Sequence, residues 1–163
     1  MKRLTWLVGP PGSGKSTYAG EVRAHRRVVE LTDMLGPLVN PVKIRKGVLR
    51  ANGALVRLVR DLELHPDNRG LPPLLVVAGI VPEDALFPLG EDEEVLLLLP
   101  PRERWQMQLR ARPVNGGSSG QYDDYVYAES WYERFSTWEA RGFSFTLLEL
   151  PYRPELVGRA PIG

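Results

Sequence analysis

Nine residues close to the amino terminus, Gly9-Pro10-Pro11-Gly12-Ser13-Gly14-Lys15-Ser16-Thr17, constrain this chain more than any other part of it. They match G-x-x-x-x-G-K-[ST] in full and lie between a short apolar run, Arg3 to Val8, and a segment of helical character from Ser16 to Arg26. Glycines let backbone N–H groups in such a loop turn inward and close around phosphate oxygens, at the positive end of the following helix. Lys15 adds a charge for the β and γ phosphates, and Ser16 a hydroxyl for Mg²⁺. Gly9, Gly12, Ser13, Gly14, Lys15, Ser16 and Thr17 are therefore the expected nucleotide-binding residues, with ATP or GTP and Mg²⁺ as ligands. Motors, GTPases, helicases and kinases all use this loop, so it leaves the reaction open.

Beyond the loop the chain alternates between two kinds of segment. Arg27 to Leu31 reads as a second strand, ending at Thr32 and Asp33. Asn40 and Pro41 supply an N-cap and a first-turn proline for a helix from about Val42 to Leu64. Leu74 to Ala78 and Val95 to Leu99 are apolar without alternation, as strands covered on both faces are. Pro100 and Pro101 open a helix to about Ala111, a further helix runs from about Asp123 to Ala140, and Phe143 to Leu150 supplies a fifth strand. This order predicts an α/β, P-loop NTPase fold, a five-stranded and mainly parallel sheet with helices on both faces. At 163 residues a single domain, 1–163, is expected, with a flexible lid region around 112–122 that includes the GGSSG of Gly116 to Gly120.

The chain has no cysteine, which excludes disulfides and thiolate metal sites, and its two histidines, His25 and His65, offer little to a zinc site. No apolar run reaches the roughly 20 residues of a membrane span, and the amino terminus leads into the loop instead of a signal segment, so a cytoplasmic protein without membrane attachment is expected. The net charge of +1 conceals a segregation: Met34 to Arg60 holds six bases and no acid, whereas Glu83 to Glu94 holds six acids and no base. One side of the protein is thus expected to attract polyanions.

Three features together give the chain a resemblance. They are GPPGSGKST, Asp33 in VVELTDML just after the second strand, and the arginine-bearing helix after the fourth strand in LLLLPPRERWQMQLRAR. In these the chain resembles the small P-loop kinases, and among them the 5′-hydroxyl polynucleotide kinases of phage and RNA-repair type, over Arg3 to Arg112. The resemblance implies ATP-dependent transfer of the γ-phosphoryl group to a hydroxyl, with the 5′-hydroxyl of a polynucleotide as the expected acceptor. A small-molecule acceptor (nucleoside, nucleotide or metabolite) is one alternative. A nucleotide-dependent switch or accessory ATPase is the other.

The resemblance also implies residue roles. Asp33 is the general base that takes the proton of the attacking hydroxyl, although the residue type equally suits a helix cap. Arg102, Arg104, Arg110 and Arg112 are candidate lid residues, with Arg110 and Arg112 preferred because they lie nearest GGSSG; a solvated basic helix face is the competing reading. Two features depart from the family's pattern. Ala78 and Gly79 stand where an acid is expected at the end of the third strand, which leaves metal binding to Ser16, the nucleotide and water, with Asp33 as a further candidate.

Met34 to Leu38 also lacks the basic residue that follows the catalytic acid in this family. The basic run from Lys43 to Arg60 is the expected replacement, binding a single-stranded DNA or RNA 5′ end through Lys43, Arg45, Lys46 and Arg50, unless these residues only solvate a helix face. The aromatic run Tyr122, Tyr125, Tyr127, Trp131, Tyr132, Phe135 and Trp138 keeps helical spacing and is expected to be mainly core, with base stacking as the lesser reading. Arg153 falls in a region that lies near the adenine in similar kinases.

Overall fold

The computed structural model describes residues 2–31, 33–34, 45–111 and 120–150, with the main chain alone at 45, 46, 48 and 120–124. At its centre is β1 (Leu4–Val8), buried at every position. It pairs with β3 (Leu74–Gly79) on one side and β4 (Glu93–Leu97) on the other. β2 (Arg27–Glu30) extends the sheet beside β3, and β5 (Thr146–Leu147) beside β4. The order is β2-β3-β1-β4-β5, and every pairing is parallel. The expectation of a mainly parallel sheet is thereby sharpened. All strands end at one edge, and β1 marks the place where chain order reverses, which opens a crevice beyond its carboxyl end.

The unbroken apolar runs follow from covering both faces, because successive side chains of a strand point in opposite directions. Leu4, Trp6, Val8, Leu74, Val76, Ala78, Val95 and Leu97 face α2 (Arg45–Glu63) and α5 (Gly120–Ser136), meeting Val56, Val59, Trp131 and Phe135. Leu7, Leu75 and Val77 face α1 (Lys15–Val22) through Ala19 and Val22. The short α3 (Glu83–Leu86) follows β3, and α4 (Arg102–Arg110) joins α5 through Trp105, Leu109, Ala128 and Tyr132. Trp131, Tyr132, Phe135 and Trp138 are all buried, in keeping with the core reading of the aromatic run.

Several boundaries differ from expectation: α5 runs from Gly120 to Ser136 instead of Asp123 to Ala140, and three further differences have a visible cause. α1 stops at Val22, because residues 23–26 make the turn that brings the Arg27 N–H onto the Pro73 carbonyl at 3.2 Å and starts β2. β4 begins at Glu93, two residues early, since the pairing of β1 starts there. β5 keeps only Thr146 and Leu147, because Phe143 and Phe145 pack into the aromatic cluster around Trp138 and leave little chain for the ladder.

Charges separated in the sequence meet in space. Glu93, 4% exposed, accepts hydrogen bonds from Trp6 Nε1 (2.9 Å), Arg60 Nε (3.0 Å) and the Gly90 N–H (2.7 Å). Arg60 also donates to the carbonyls of Ala85 and Leu86, at 2.9 and 2.6 Å. Glu83, 7% exposed, accepts from Arg134 Nε (2.8 Å), Trp138 Nε1 (3.0 Å) and Arg141. Buried carboxylates persist only when donors replace the lost water in this way. For Glu83, burial by itself raises the pKa, but the hydrogen bonds from Arg141, Arg134 and Trp138 prevail and hold it at about 2. Among the described residues, no helix is long and apolar enough to cross a membrane.

Candidate functional site

The loop leaves β1 at the crevice. Gly14 caps α1 with a left-handed backbone (φ 101°), so the first turn of α1 opens into the loop. Gly9, Gly12, Ser13, Gly14 and Lys15 are buried, whereas Ser16 and Thr17 are half-buried on α1. Lys15 is 6% exposed, and its Nζ donates to the Gly9 carbonyl (3.0 Å), the Pro10 carbonyl (2.9 Å) and Ser13 Oγ (3.4 Å). The lysine thus lies along the inner side of the loop, where an ammonium meets phosphate oxygens. Gly79, at the end of β3, has φ 63°, and a β-carbon there would stand 3.6 Å from Lys15 Cε. That left-handed backbone favours glycine at the position where the resemblance led to the expectation of an acid.

An acid at the end of β2 reaches the loop. Ser16 Oγ donates to Glu30 Oε1 at 3.3 Å. Asp33 is exposed in a turn just beyond β2, at the same edge of the sheet. Two carboxylates therefore leave β2 on the side of the phosphate loop, and they offer oxygen donors only. No group of three or more His, Cys, Asp or Glu suited to a metal ion occurs among the described residues.

α4 packs directly against the loop. Trp105 Nε1 donates to the Pro11 carbonyl (2.8 Å), and Gln108 Nε2 donates to the Gly12 carbonyl (2.9 Å). Gly12 has φ 81°, and a β-carbon there would meet Leu109 Cα at 3.1 Å, so the close approach of α4 requires glycine.

The candidate arginines are placed unequally. Arg102 pairs with Glu129 and Glu133 of α5 and lies over the Tyr132 ring at 4.7 Å, so it fastens α4 to α5. Arg110 is exposed and borders a shallow groove with Gln106, Tyr125 and Glu129, on the α5 side of the helix. Arg104, half-buried, lies four residues before Gln108 and therefore on the loop-facing stripe of α4; its Nε is buried without a hydrogen-bond partner. Arg112 and residues 112–119 of the expected lid lie outside the described residues, and from Gly120 that region belongs to α5.

The basic run is likewise divided. Arg60 is bound to Glu93 and two carbonyls, while Arg50 and Arg57 are exposed on α2. Lys43, Asn40, Pro41 and Arg153 lie outside the described residues, and only the main chain is described at Arg45 and Lys46. Glu30, Trp105 and Gln108 were not singled out by sequence. An acid closing a strand was a signal for Glu30, but nothing in the helix spacing of 105 and 108 points to backbone carbonyls about a hundred residues earlier.

No protein-family model matches the chain, and no curated protein does. Solved structures do. A sugar kinase from Janibacter sp. aligns over 97% of this chain and 91% of its own, with a TM-score of 0.62 at 17% identity. A shikimate kinase from Acinetobacter baumannii, in complex with shikimate, aligns over 94% and 86%, with a TM-score of 0.53 at 14% identity. A Thermus thermophilus protein aligns over 94% and 91%, with a TM-score of 0.51 at 20% identity. With the five-stranded parallel sheet and the loop after β1, these likenesses establish the α/β P-loop NTPase fold.

Proposed function

We propose that the chain is a phosphotransferase that moves the γ-phosphoryl group of ATP or GTP to a hydroxyl of a small molecule. The observation that carries this reading is the pair of carboxylates leaving β2, Glu30 on Ser16 at 3.3 Å and Asp33 exposed beyond it, beside a complete phosphate loop. Lys15 would neutralise the β and γ phosphates. Mg²⁺ fits the all-oxygen pair of the Ser16 hydroxyl and the Glu30 carboxylate, and it would supply charge neutralisation on the phosphates. Asp33 would accept the acceptor's proton as the new oxygen–phosphorus bond forms and the bond to the nucleoside diphosphate breaks. Arg104, on the loop side of α4, is better placed than Arg110 to meet charge on the transferred group.

Two findings favour a small acceptor over a polynucleotide. The aromatic side chains that would stack bases are largely core, and Arg60 of the basic run is consumed by Glu93. The neighbours named for a sugar and for shikimate are named for small acceptors. The test is transfer of labelled γ-phosphate to sugars, hydroxy acids, nucleosides and a 5′-hydroxyl oligonucleotide. Label on a small compound supports the reading, and label on the oligonucleotide alone restores the polynucleotide acceptor. Hydrolysis with no labelled acceptor points to a switch or accessory ATPase.

Two variants probe the acids. Asp33→Asn is expected to leave nucleotide affinity intact and to lower transfer by about 10²–10⁴, the usual worth of a general base. A parallel loss of affinity would make Asp33 structural or metal-related. Glu30→Gln is expected to raise the Mg²⁺ concentration needed for half-maximal activity by about tenfold, the low end of what losing a metal's supporting group costs. An unchanged Mg²⁺ titration would remove Glu30 from the metal site.

A further inference from the structure

α4 touches the phosphate loop through three side chains on one face, at positions i, i+3 and i+4. Leu109 stands against Gly12, and the other two give N–H donors to adjacent loop carbonyls. We propose that Trp105 and Gln108 are positioning residues, which aim the backbone N–H groups of Gly12 and Ser13 at the phosphates. This inference rests on reading Gly9 to Thr17 as a triphosphate-binding loop.

The physical basis is the planarity of the peptide. In a trans peptide the C=O of one residue and the N–H of the next point in opposite directions. Holding the Pro11 carbonyl outward on Trp105 turns the Gly12 N–H inward, and holding the Gly12 carbonyl on Gln108 turns the Ser13 N–H inward. The orientation of Ser13 agrees with this. Its N–H donates to the Pro10 carbonyl at 3.2 Å, and that same carbonyl also receives Lys15 Nζ. Ser13 N–H and the lysine ammonium therefore converge on one carbonyl oxygen.

Trp105 is itself held firmly. Trp105 is fully buried, with its ring 4.5 Å from that of Tyr132, and the Tyr132 hydroxyl donates to the Pro100 carbonyl at 2.6 Å. Such support is what gives a binding group a single geometry. Plain packing of a helix on the loop would be satisfied by Leu109 against Gly12; it gives no reason for two donors on two consecutive carbonyls.

The test compares Trp105→Phe and Gln108→Met with the wild type. Each keeps most of the apolar volume and removes one donor. Binding of Mg²⁺ with a non-hydrolysable ATP analogue is measured by calorimetry, amide shifts of Gly12 and Ser13 by NMR, and thermal unfolding without nucleotide. Each variant is expected to bind about fivefold more weakly, the worth of one hydrogen bond, and the double variant more weakly than either, though not additively because both act on consecutive peptides of one loop. The Gly12 amide should shift in the first variant and the Ser13 amide in the second, with melting temperatures within a few degrees of wild type. Equal affinity in wild type and variants would overturn the inference alone, as would a loss that only tracks melting temperature. A wild type that binds no nucleotide would overturn the phosphate-loop reading, and this inference with it.

Discussion

Lys15→Ala is expected to lower phosphoryl transfer at least about 10³-fold, at the upper end for removing a single electrostatic donor to a developing anion. Lys15 does more than carry charge. Its ammonium bonds the Gly9 and Pro10 carbonyls and Ser13 Oγ at once, so it also closes the loop on itself. Alanine removes both the phosphate contact and the closure. Lys15→Arg separates the two, because it retains charge but its planar fork does not reproduce a compact ammonium among three acceptors. Transfer of labelled γ-phosphate, measured beside nucleotide affinity, checks the expectation. Unchanged turnover in Lys15→Ala would dismiss the loop as the phosphate site.

Glu83→Gln is expected to destabilise the fold by about 2–3 kcal/mol, somewhat below the usual cost of breaking a buried ion pair because Arg134 and Arg141 are half-exposed and rehydrate. The pH dependence gives a sharper test. The folded-state pKa of Glu83 is about 2, against 4.5 for an unperturbed glutamate. A depressed carboxylate pKa stabilises the fold fully above 4.5, and that stabilisation disappears as pH falls from 4.5 towards 2. The shift corresponds to at most about 3 kcal/mol. Wild-type melting temperature should therefore fall between pH 5 and pH 2 more steeply than that of Glu83→Gln. Parallel curves would mean that the Arg134, Trp138 and Arg141 contacts are not maintained in solution.

The parts of this protein that were legible in its sequence are those whose determinants are local. Gly12, Gly14 and Lys15 keep the spacing of a P-loop, and the runs LTWLV and LLVVA lack apolar–polar alternation because both faces of their strands are covered. The helical spacing of Trp131, Phe135 and Trp138 likewise foretold their burial. What escaped depends on partners far apart along the chain. Glu93 and Arg60 looked like members of opposed charge runs until 33 residues of separation closed into one ion pair. Arg102 was one of four arginines open to a lid role, and its pairing with Glu129 and Glu133 of α5 could not be read from its own helix. Glu30 ended a strand as many surface acids do, and only the course of α1 placed Ser16 against it.

The grip of α4 on the loop acts through main-chain carbonyls at Pro11 and Gly12. Carbonyls are the same for every amino acid, so position 11 is free to drift in evolution without releasing α4. The burden of keeping the contact falls on Trp105 and Gln108. In more distant descendants of this chain, covariation should therefore be sought among residues 105, 108 and 109, while the loop's variable positions record little of the helix that holds them.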